Sequence, residues 1–75
     1  MVLPLRDLLP GEQARIERIA LEGPLAQRLR EMGMTIGAPI ECIGRSPLGD
    51  PAAYRLCGIC LALRDRDTTH ISVRR

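Results

Sequence analysis

Residues 45–64 read RSPLGDPAAYRLCGICLALR, and the centre of this stretch decides the fold. Gly58 separates two short runs in which apolar residues alternate with other types. Glycine at the first central position of a two-residue turn is typical of type II′ hairpins, because that position requires a positive φ. The predicted turn is therefore centred on Gly58 and Ile59, and it places Cys57 opposite Cys60.

This pairing sorts the flanking side chains of the predicted hairpin into two faces. Directly opposed residues share a face, and faces alternate along each strand. One face is entirely apolar, whereas the other is small or charged. The first face carries Tyr54, Leu56, Leu61 and Leu63, and the second carries Arg55, Ala62, Cys57 and Cys60. We expect the first face to be buried and the second to be exposed.

Length and composition predict one small globular domain over residues 1–75. Hydrophobic residues make up 45% of the chain, and Tyr54 is its one aromatic residue, so the core must be aliphatic. A chain of this size buries only roughly 60% of its unfolded surface, which limits its stability. The net charge is +2, from eleven arginines and nine acidic residues with no lysine.

These charges argue against two classes of function. The arginines are interleaved with acids, whereas nucleic-acid binding usually needs a clustered basic face, so we expect no nucleic-acid partner. The absence of lysine excludes a phosphate-loop lysine and a Schiff-base lysine. The one histidine, His70, has no serine or acidic residue at a spacing typical of catalysis. The sequence therefore predicts a protein that is not an enzyme.

The sequence predicts a cytoplasmic location. No apolar run approaches the ~20 residues needed to span a bilayer. The first residues, Met1 to Pro4, lack the charged start and apolar centre of a signal peptide. Three cysteines, an odd number, fit a reducing compartment better than a disulfide framework.

One helix is predicted to begin at Gly23-Pro24 and to end before Gly33. Proline is favoured in the first turn of a helix, where its missing N–H is not needed. Glycine is favoured directly after the last turn, where a left-handed residue closes a Schellman motif. The apolar contacts expected from this helix are the stripe Leu25, Leu29 and Met32, with Met34 folding back on Leu29.

The remaining elements are short strands and turns. Strands are predicted at 13–21, with a bulge near Arg18, at 39–45 and at 70–74, in addition to the two strands of the hairpin. In the strand at 39–45, one face, expected to point inward, carries Ile40 and Cys42, and the other carries Glu41, Ile43 and Arg45. A tight turn containing Leu5, Leu8 and Leu9 is predicted to plug the barrel, and residues 65–69 are predicted to form a 3₁₀ turn. Strands this short must curl to hide their edges. The predicted fold is therefore all-β with one short helix, a small five-stranded SH3-like barrel.

The sequence resembles the FeoA family almost from end to end. Each shared motif is short, but their order and spacing together are specific. The motifs are Leu5-Arg6-Asp7-Leu8, Pro10-Gly11-Glu12, Arg28-Leu29, Met32-Gly33-Met34, Gly37, Pro47-Leu48-Gly49-Asp50-Pro51, Tyr54, Gly58, Leu61-Ala62-Leu63-Arg64 and Ile71-Ser72-Val73.

This resemblance implies an SH3-like barrel and a role in bacterial ferrous iron transport. The family is regarded as a set of small cytoplasmic accessory proteins that bind and regulate FeoB, a membrane transporter with a cytoplasmic GTP-hydrolysing domain. The implied contact with the membrane is indirect, through the transporter. The sequence departs from the family at Cys57 and Cys60, where ordinary strand residues are expected.

A partner-binding surface is predicted at the loop before the hairpin. Leu48 lies between prolines and glycine, and nothing in the local pattern offers it a place in the core. Rigid loops lose less entropy on docking. We therefore predict that Leu48, Pro47 and Asp50 contact a partner, with Arg28 on the outer side of the helix as a second candidate. The alternative is that Leu48 folds back and caps the barrel.

The paired cysteines raise an alternative function, that of a small metal-binding or redox-responsive protein. If Cys57 and Cys60 face each other, their thiolates can chelate zinc or ferrous iron or form a disulfide. A closed structural site needs about four ligands, and the other soft ligands are Cys42 and His70. Such a site would be completed by sharing it across a homodimer. The simpler interpretation is that both are tolerated surface residues and that no cofactor is required.

Overall fold

The computed structural model describes residues 1–75, which form six β-strands, two α-helices and a 3₁₀ helix at Leu5–Asp7. The elements follow the chain as β1 (Val2–Pro4), β2 (Gln13–Ile19), α1 (Gly23–Glu31), β3 (Pro39–Arg45), β4 (Ala52–Leu56), β5 (Ile59–Leu63), α2 (Asp65–Thr68) and β6 (Ile71–Arg74). Neither helix is long and apolar enough to cross a membrane.

All six strands belong to one antiparallel sheet in the order β1-β6-β2-β3-β4-β5. The predicted fold class is confirmed, but the sheet has one strand more than expected. The additional strand, β1, pairs with β6 through Leu3 and Val73. Its three residues end in proline, so no alternation identifies it in the sequence. In the segment that follows, Leu5 and Leu8 are buried as predicted, whereas Leu9 is exposed.

The core is aliphatic apart from Tyr54, as the composition requires. It is built from fourteen buried residues of the strands, of α1 and the turn after it, and of the N-terminal segment: Leu5, Leu8, Ala14, Ile16, Leu29, Met34, Ile40, Cys42, Ala52, Tyr54, Leu56, Leu63, Ile71 and Val73. Leu61 is partly buried and packs against this cluster. The apolar face predicted for the hairpin is thus confirmed. One cluster serves the whole chain, which is what a single domain of this size needs.

Helix α1 ends as the sequence predicts. The N–H of Gly33 donates to the carbonyl of Arg30 at 3.0 Å, and the N–H of Met34 donates to the carbonyl of Leu29 at 2.9 Å. With φ at +103° for Gly33, these two bonds form a Schellman motif. Leu29, Met34 and Ala26 are buried. The motif therefore directs the chain back onto the core as the helix ends.

The hairpin turn differs from its prediction by one position. Its central residues are Cys57 and Gly58, with φ of 52° and 78°, and the flanking pair is Leu56 and Ile59. Positive φ at both central positions is the requirement of a type I′ turn, whose twist matches that of the flanking strands. The prediction of a type II′ turn centred on Gly58 and Ile59 is wrong. The faces are nevertheless correct. Moving the turn by one position changes the partner of each strand residue by two, so Leu56 lies opposite Ile59 instead of Leu61, and two is the period of a strand.

Strand β3 has the predicted bounds, and Ile40 and Cys42 point inward as expected. A β-bulge between Cys42 and Gly44 then reverses the alternation. Arg45 was predicted to share the outer face with Glu41, and this prediction is wrong. After the bulge Arg45 lies opposite buried Ala52 and is itself partly buried. The bulge expected near Arg18 in β2 is confirmed between Ile16 and Arg18.

The segment after the hairpin forms a single α-turn, α2, rather than the predicted 3₁₀ turn. The N–H groups of Thr68 and Thr69 donate to the carbonyls four residues earlier, Arg64 and Asp65, each at 3.0 Å. The side chain of Thr68 is buried. The helix leads directly into β6, which occupies a position between β1 and β2 in the sheet.

Candidate partner-binding surface

Leu48 is the most exposed large apolar residue of the chain, with 95% of its surface accessible. It lies on the connection between β3 and β4, residues 46–51. The alternative in which Leu48 folds back to cap the barrel is wrong. The neighbouring Pro47 is also exposed. An apolar side chain held in water on a loop is a surface that a partner can cover, and covering it removes apolar area from solvent.

The backbone of this loop is held by its own hydrogen bonds. The N–H of Gly49 donates to the carbonyl of Ser46 at 2.7 Å, which closes a tight turn around Pro47 and Leu48. The N–H of Ser46 donates to the carbonyl of Pro51 at 3.1 Å, which joins the two ends of the loop. The loop therefore has a defined shape, and Leu48 occupies its tip.

The side chain of Arg45 links the loop of residues 46–51 to two other segments of the chain. Its Nη1 donates to the carbonyl of Gly49 at 3.2 Å and to Oδ1 of Asp65 at 3.2 Å, and its Nη2 donates to the carbonyl of Arg6. The guanidinium thus joins the loop, α2 and the N-terminal 3₁₀ helix. Only 23% of the Arg45 side chain is accessible. Reasoning from sequence missed this residue, because the bulge that turns it inward leaves no signal in the residue pattern.

Asp50, which is predicted to contact a partner, is exposed and also forms a hydrogen bond within the domain. Its Oδ1 accepts a hydrogen bond from the backbone N–H of Asp65 at 3.0 Å. This N–H is among the first of α2, which otherwise lacks a side-chain cap. Asp50 therefore fixes the end of the loop to the helix. Arg28 lies on another element, α1, where it is exposed and forms no ion pair or side-chain hydrogen bond.

The structure does not bring the two hairpin cysteines together as predicted. Cys57 occupies the turn, and Cys60 lies opposite Arg55. The thiol of Cys57 contacts the carbonyl oxygen of Gly33 at 3.7 Å. All three cysteines are free thiols, and no group of three His, Cys, Asp or Glu side chains is positioned to hold a metal ion. The geometric basis of the predicted metal site is wrong, and metal binding by Cys57 and Cys60 stays a prediction.

The other two candidate metal ligands, Cys42 and His70, differ in burial: one is in the core and the other is at the surface. Cys42 is fully buried in the core, and this burial raises the pKa of its thiol above the ordinary value of 9.0. His70 is exposed just before β6, and its side chain forms no hydrogen bond. The hydroxyl of Tyr54 is buried and has no hydrogen-bond partner of ordinary geometry. Burial raises its pKa, and the hydroxyl of Thr68 partly opposes this rise. Cys42 and Tyr54 are therefore part of the core, whereas His70 lies at the surface.

The family model described as the FeoA domain matches residues 3–75. The chain belongs to the FeoA family. A curated relative of this FeoA domain is the Fe(2+) transport protein A/Fe(2+) transporter FeoB fusion protein of Porphyromonas gingivalis, which is 36% identical over 69 residues. The match covers 92% of the chain but 8% of the fusion protein, so the chain spans a small part of that relative's length.

Solved structures of FeoA proteins share this fold. Iron(II) transport protein A from Clostridium thermocellum is 36% identical with a TM-score of 0.87, over 96% of this chain and 44% of that one. The FeoA of Stenotrophomonas maltophilia, a prokaryotic SH3 domain protein in complex with zinc, is 25% identical with a TM-score of 0.81. That match covers 95% of this FeoA domain and 88% of its relative. The SH3-like fold is thus confirmed.

Proposed function

We propose that this FeoA domain is a non-enzymatic accessory module of ferrous iron transport that docks on the cytoplasmic GTP-hydrolysing part of a FeoB-type transporter. The observation that carries the proposal is the fusion protein of Porphyromonas gingivalis, in which transport protein A and FeoB form one polypeptide. Fusion keeps two modules at a high effective concentration, which favours a contact between them. The module acts by binding, in the cytoplasm, and reaches the membrane only through the transporter.

We assign the docking surface to the loop that carries Leu48. Its tip is apolar and exposed, and its backbone is already ordered by the bonds to Ser46 and from Arg45. Full burial of a leucine side chain contributes about 1.5–3 kcal/mol. Because the loop needs little further ordering, most of that gain remains available for affinity. Pro47 and Asp50 flank the contact.

Arg28, on α1, is a second candidate contact, on a different element from the loop that carries Leu48. Its guanidinium is exposed and has no acidic partner within this chain. Charged groups at the rim of an interface change the rate of association and its salt dependence more than the affinity. A weak salt dependence that disappears in Arg28→Gln is therefore the expected contribution of this residue.

The proposal is tested by calorimetric titration of the domain into the isolated cytoplasmic domain of the FeoB-type transporter from the same organism. Leu48→Ala is expected to weaken binding about ten- to one hundredfold, because every 1.4 kcal/mol corresponds to about a factor of ten. The matched control is Ile36→Ala, which removes apolar surface from a residue that is 65% exposed. Ile36 precedes the start of β3, whereas Leu48 follows its end, so the control lies on a different loop from the proposed contact.

Two results would contradict the proposal in different ways. If the folded domain shows no association at concentrations of tens of micromolar, the docking function is wrong. If association occurs but Leu48→Ala and Ile36→Ala bind as tightly as the natural sequence, the function stands and the docking surface is wrong.

The second candidate is a metal-binding or redox-responsive protein that uses Cys57 and Cys60. The zinc complex of the Stenotrophomonas maltophilia FeoA favours it. In this chain both thiols are exposed, so each is available to a ligand in solution. Metal analysis of protein purified without chelator distinguishes the two functions. Stoichiometric zinc or iron that is lost in the double variant Cys57→Ser, Cys60→Ser would support the second candidate.

A further inference from the structure

The outer edge of β5 has no partner strand in the chain. The sheet ends at β1 on one side and at β5 on the other, and β5 pairs with β4 alone. The edge at β1 is short and contains Pro4, two features that prevent pairing with another chain. The edge at β5, Ile59–Leu63, is five residues long and contains neither proline nor a charged residue. It thus lacks the usual protection against pairing.

The register of the hairpin shows which backbone groups of β5 are free. In a hairpin with a two-residue turn, the flanking pair, here Leu56 and Ile59, is hydrogen-bonded. Hydrogen-bonded and non-bonded pairs alternate along an antiparallel ladder, so Cys60 and Ala62 direct their N–H and C=O groups away from β4. No other backbone or side-chain hydrogen bond engages these two residues. The edge therefore presents two donors and two acceptors.

We propose that a second copy of this chain pairs with β5, strand against antiparallel strand, about a two-fold axis at Leu61. Cys60 of each copy then lies opposite Ala62 of the other, as a hydrogen-bonded pair. The two such pairs use all the free groups of both edges and leave none unpaired. The edge is thus complementary to itself, which is the requirement of a two-fold interface.

The side chains agree with this register. Ile59, which is 46% exposed, comes to lie opposite Leu63 of the second copy, and the two Leu61 side chains meet at the axis. Arg64 lies opposite Gly58 of the second copy, so no like charges meet. Two edges of five residues form a small interface, and interfaces below about 1,200 Å² are typical of weak, reversible contacts.

The test is sedimentation equilibrium of the whole chain at concentrations up to about 1 mM, the range in which such small interfaces associate. The weight-average molecular mass is expected to rise with protein concentration, from the 8.3 kDa of one chain toward twice that value. Ala62→Pro removes an outward N–H but no bond to β4, so it is expected to keep the mass at that of one chain. The control, Ala62→Val, keeps the N–H and is expected to associate like the natural sequence.

A cross-linking experiment tests the register without relying on a proline variant. In a Cys57→Ser background, Ala62→Cys places a thiol about 5.5 Å in Cα distance from Cys60 of the second copy, within disulfide range. A mild oxidant is expected to yield a covalent dimer. The control is Ala53→Cys in the same background, which carries its thiol on β4, one strand away from the edge.

Two results would overturn the inference. One is a mass that stays at that of a single chain at the highest concentration. The other is association that Ala62→Pro leaves intact, together with equal cross-linking of the Ala62→Cys and Ala53→Cys proteins.

Discussion

Replacing Arg45 by methionine tests whether this one side chain anchors the loop that carries Leu48. Arg45 donates to the carbonyl of Gly49 at 3.2 Å, to Asp65 at 3.2 Å and to the carbonyl of Arg6. Methionine keeps an apolar chain of similar length but has no donor. The substitution therefore removes the contacts of the guanidinium and leaves most of the packing in place.

The expected cost follows from the burial of these contacts. Hydrogen bonds from a charged donor contribute about 1.5–3 kcal/mol each where they are shielded from water. The accessible fractions are 23% for the Arg45 side chain and 31% for that of Asp65, so solvent screens part of the ion pair. We therefore expect the free energy of unfolding to fall by about 2–4 kcal/mol in total, less than the sum of the separate bonds.

The matched control is Arg55→Met on the neighbouring strand. Arg55 is 51% exposed and makes one contact, to Glu41 at 3.4 Å. Exposed pairs of this kind contribute about 0–1 kcal/mol. Unfolding in urea is followed by far-UV circular dichroism and by the fluorescence of Tyr54, the single aromatic residue. Each kcal/mol lost corresponds to about 4–8 °C in Tm for a domain of this size.

A functional readout accompanies the stability measurement. In Arg45→Met the loop loses the contacts that hold it, so it must become ordered when it binds. The entropy lost in that step is expected to lower the affinity for the transporter domain, although Leu48 is unchanged. If Arg45→Met and Arg55→Met cost the same free energy of unfolding, the anchoring role deduced from the geometry is refuted.

Two further predictions concern buried polar groups. Tyr54→Phe removes a buried hydroxyl without a partner, so the free energy of unfolding is expected to stay constant or to rise by up to about 1 kcal/mol; a loss above that amount in urea unfolding would mean that the hydroxyl bonds to a neighbour such as Thr68. Burial raises the pKa of Cys42 and of Tyr54 above 9.0 and 10.0, so the unfolded chain releases these protons first, and stability that is complete below pH 9 must fall as the pH rises. Thermal unfolding from pH 7 to 11 measures this decline. Cys42→Val is expected to reduce the part of the decline that begins near pH 9, the ordinary pKa of a thiol. A stability that is constant to pH 11 would contradict the reasoning.

The faces of the hairpin could be predicted from the sequence, but its turn could not. Alternation has a period of two, so any even shift of register leaves Tyr54 and Leu56 inside and Arg55 outside. The same even shift places Cys60 opposite Arg55 instead of Cys57, so the two thiols do not form the directly opposed pair that a shared metal ion would need. Glycine in a short turn fits both type I′ and type II′. The register of the two assembled strands, with Leu56 opposite Ile59, decides which residues occupy the turn.

The candidate site shows the same division. The exposure of Leu48 agrees with the local pattern of prolines and glycine, since a leucine without apolar neighbours in sequence has no strand face to join. The inward turn of Arg45 had no such signal. It results from a bulge between Cys42 and Gly44, which depends on the partner strand and not on the residues of β3 alone.

The sequence by itself determined the local elements of this protein: the start and Schellman end of α1, the bounds of β3, and the apolar inventory that must form the core. These features depend on neighbours within a few residues. The tertiary structure decided the strand β1, the type of the hairpin turn, the burial of Arg45 and the open edge of β5. These depend on which strands lie side by side, and hydrogen bonds between strands join residues that are distant in the chain.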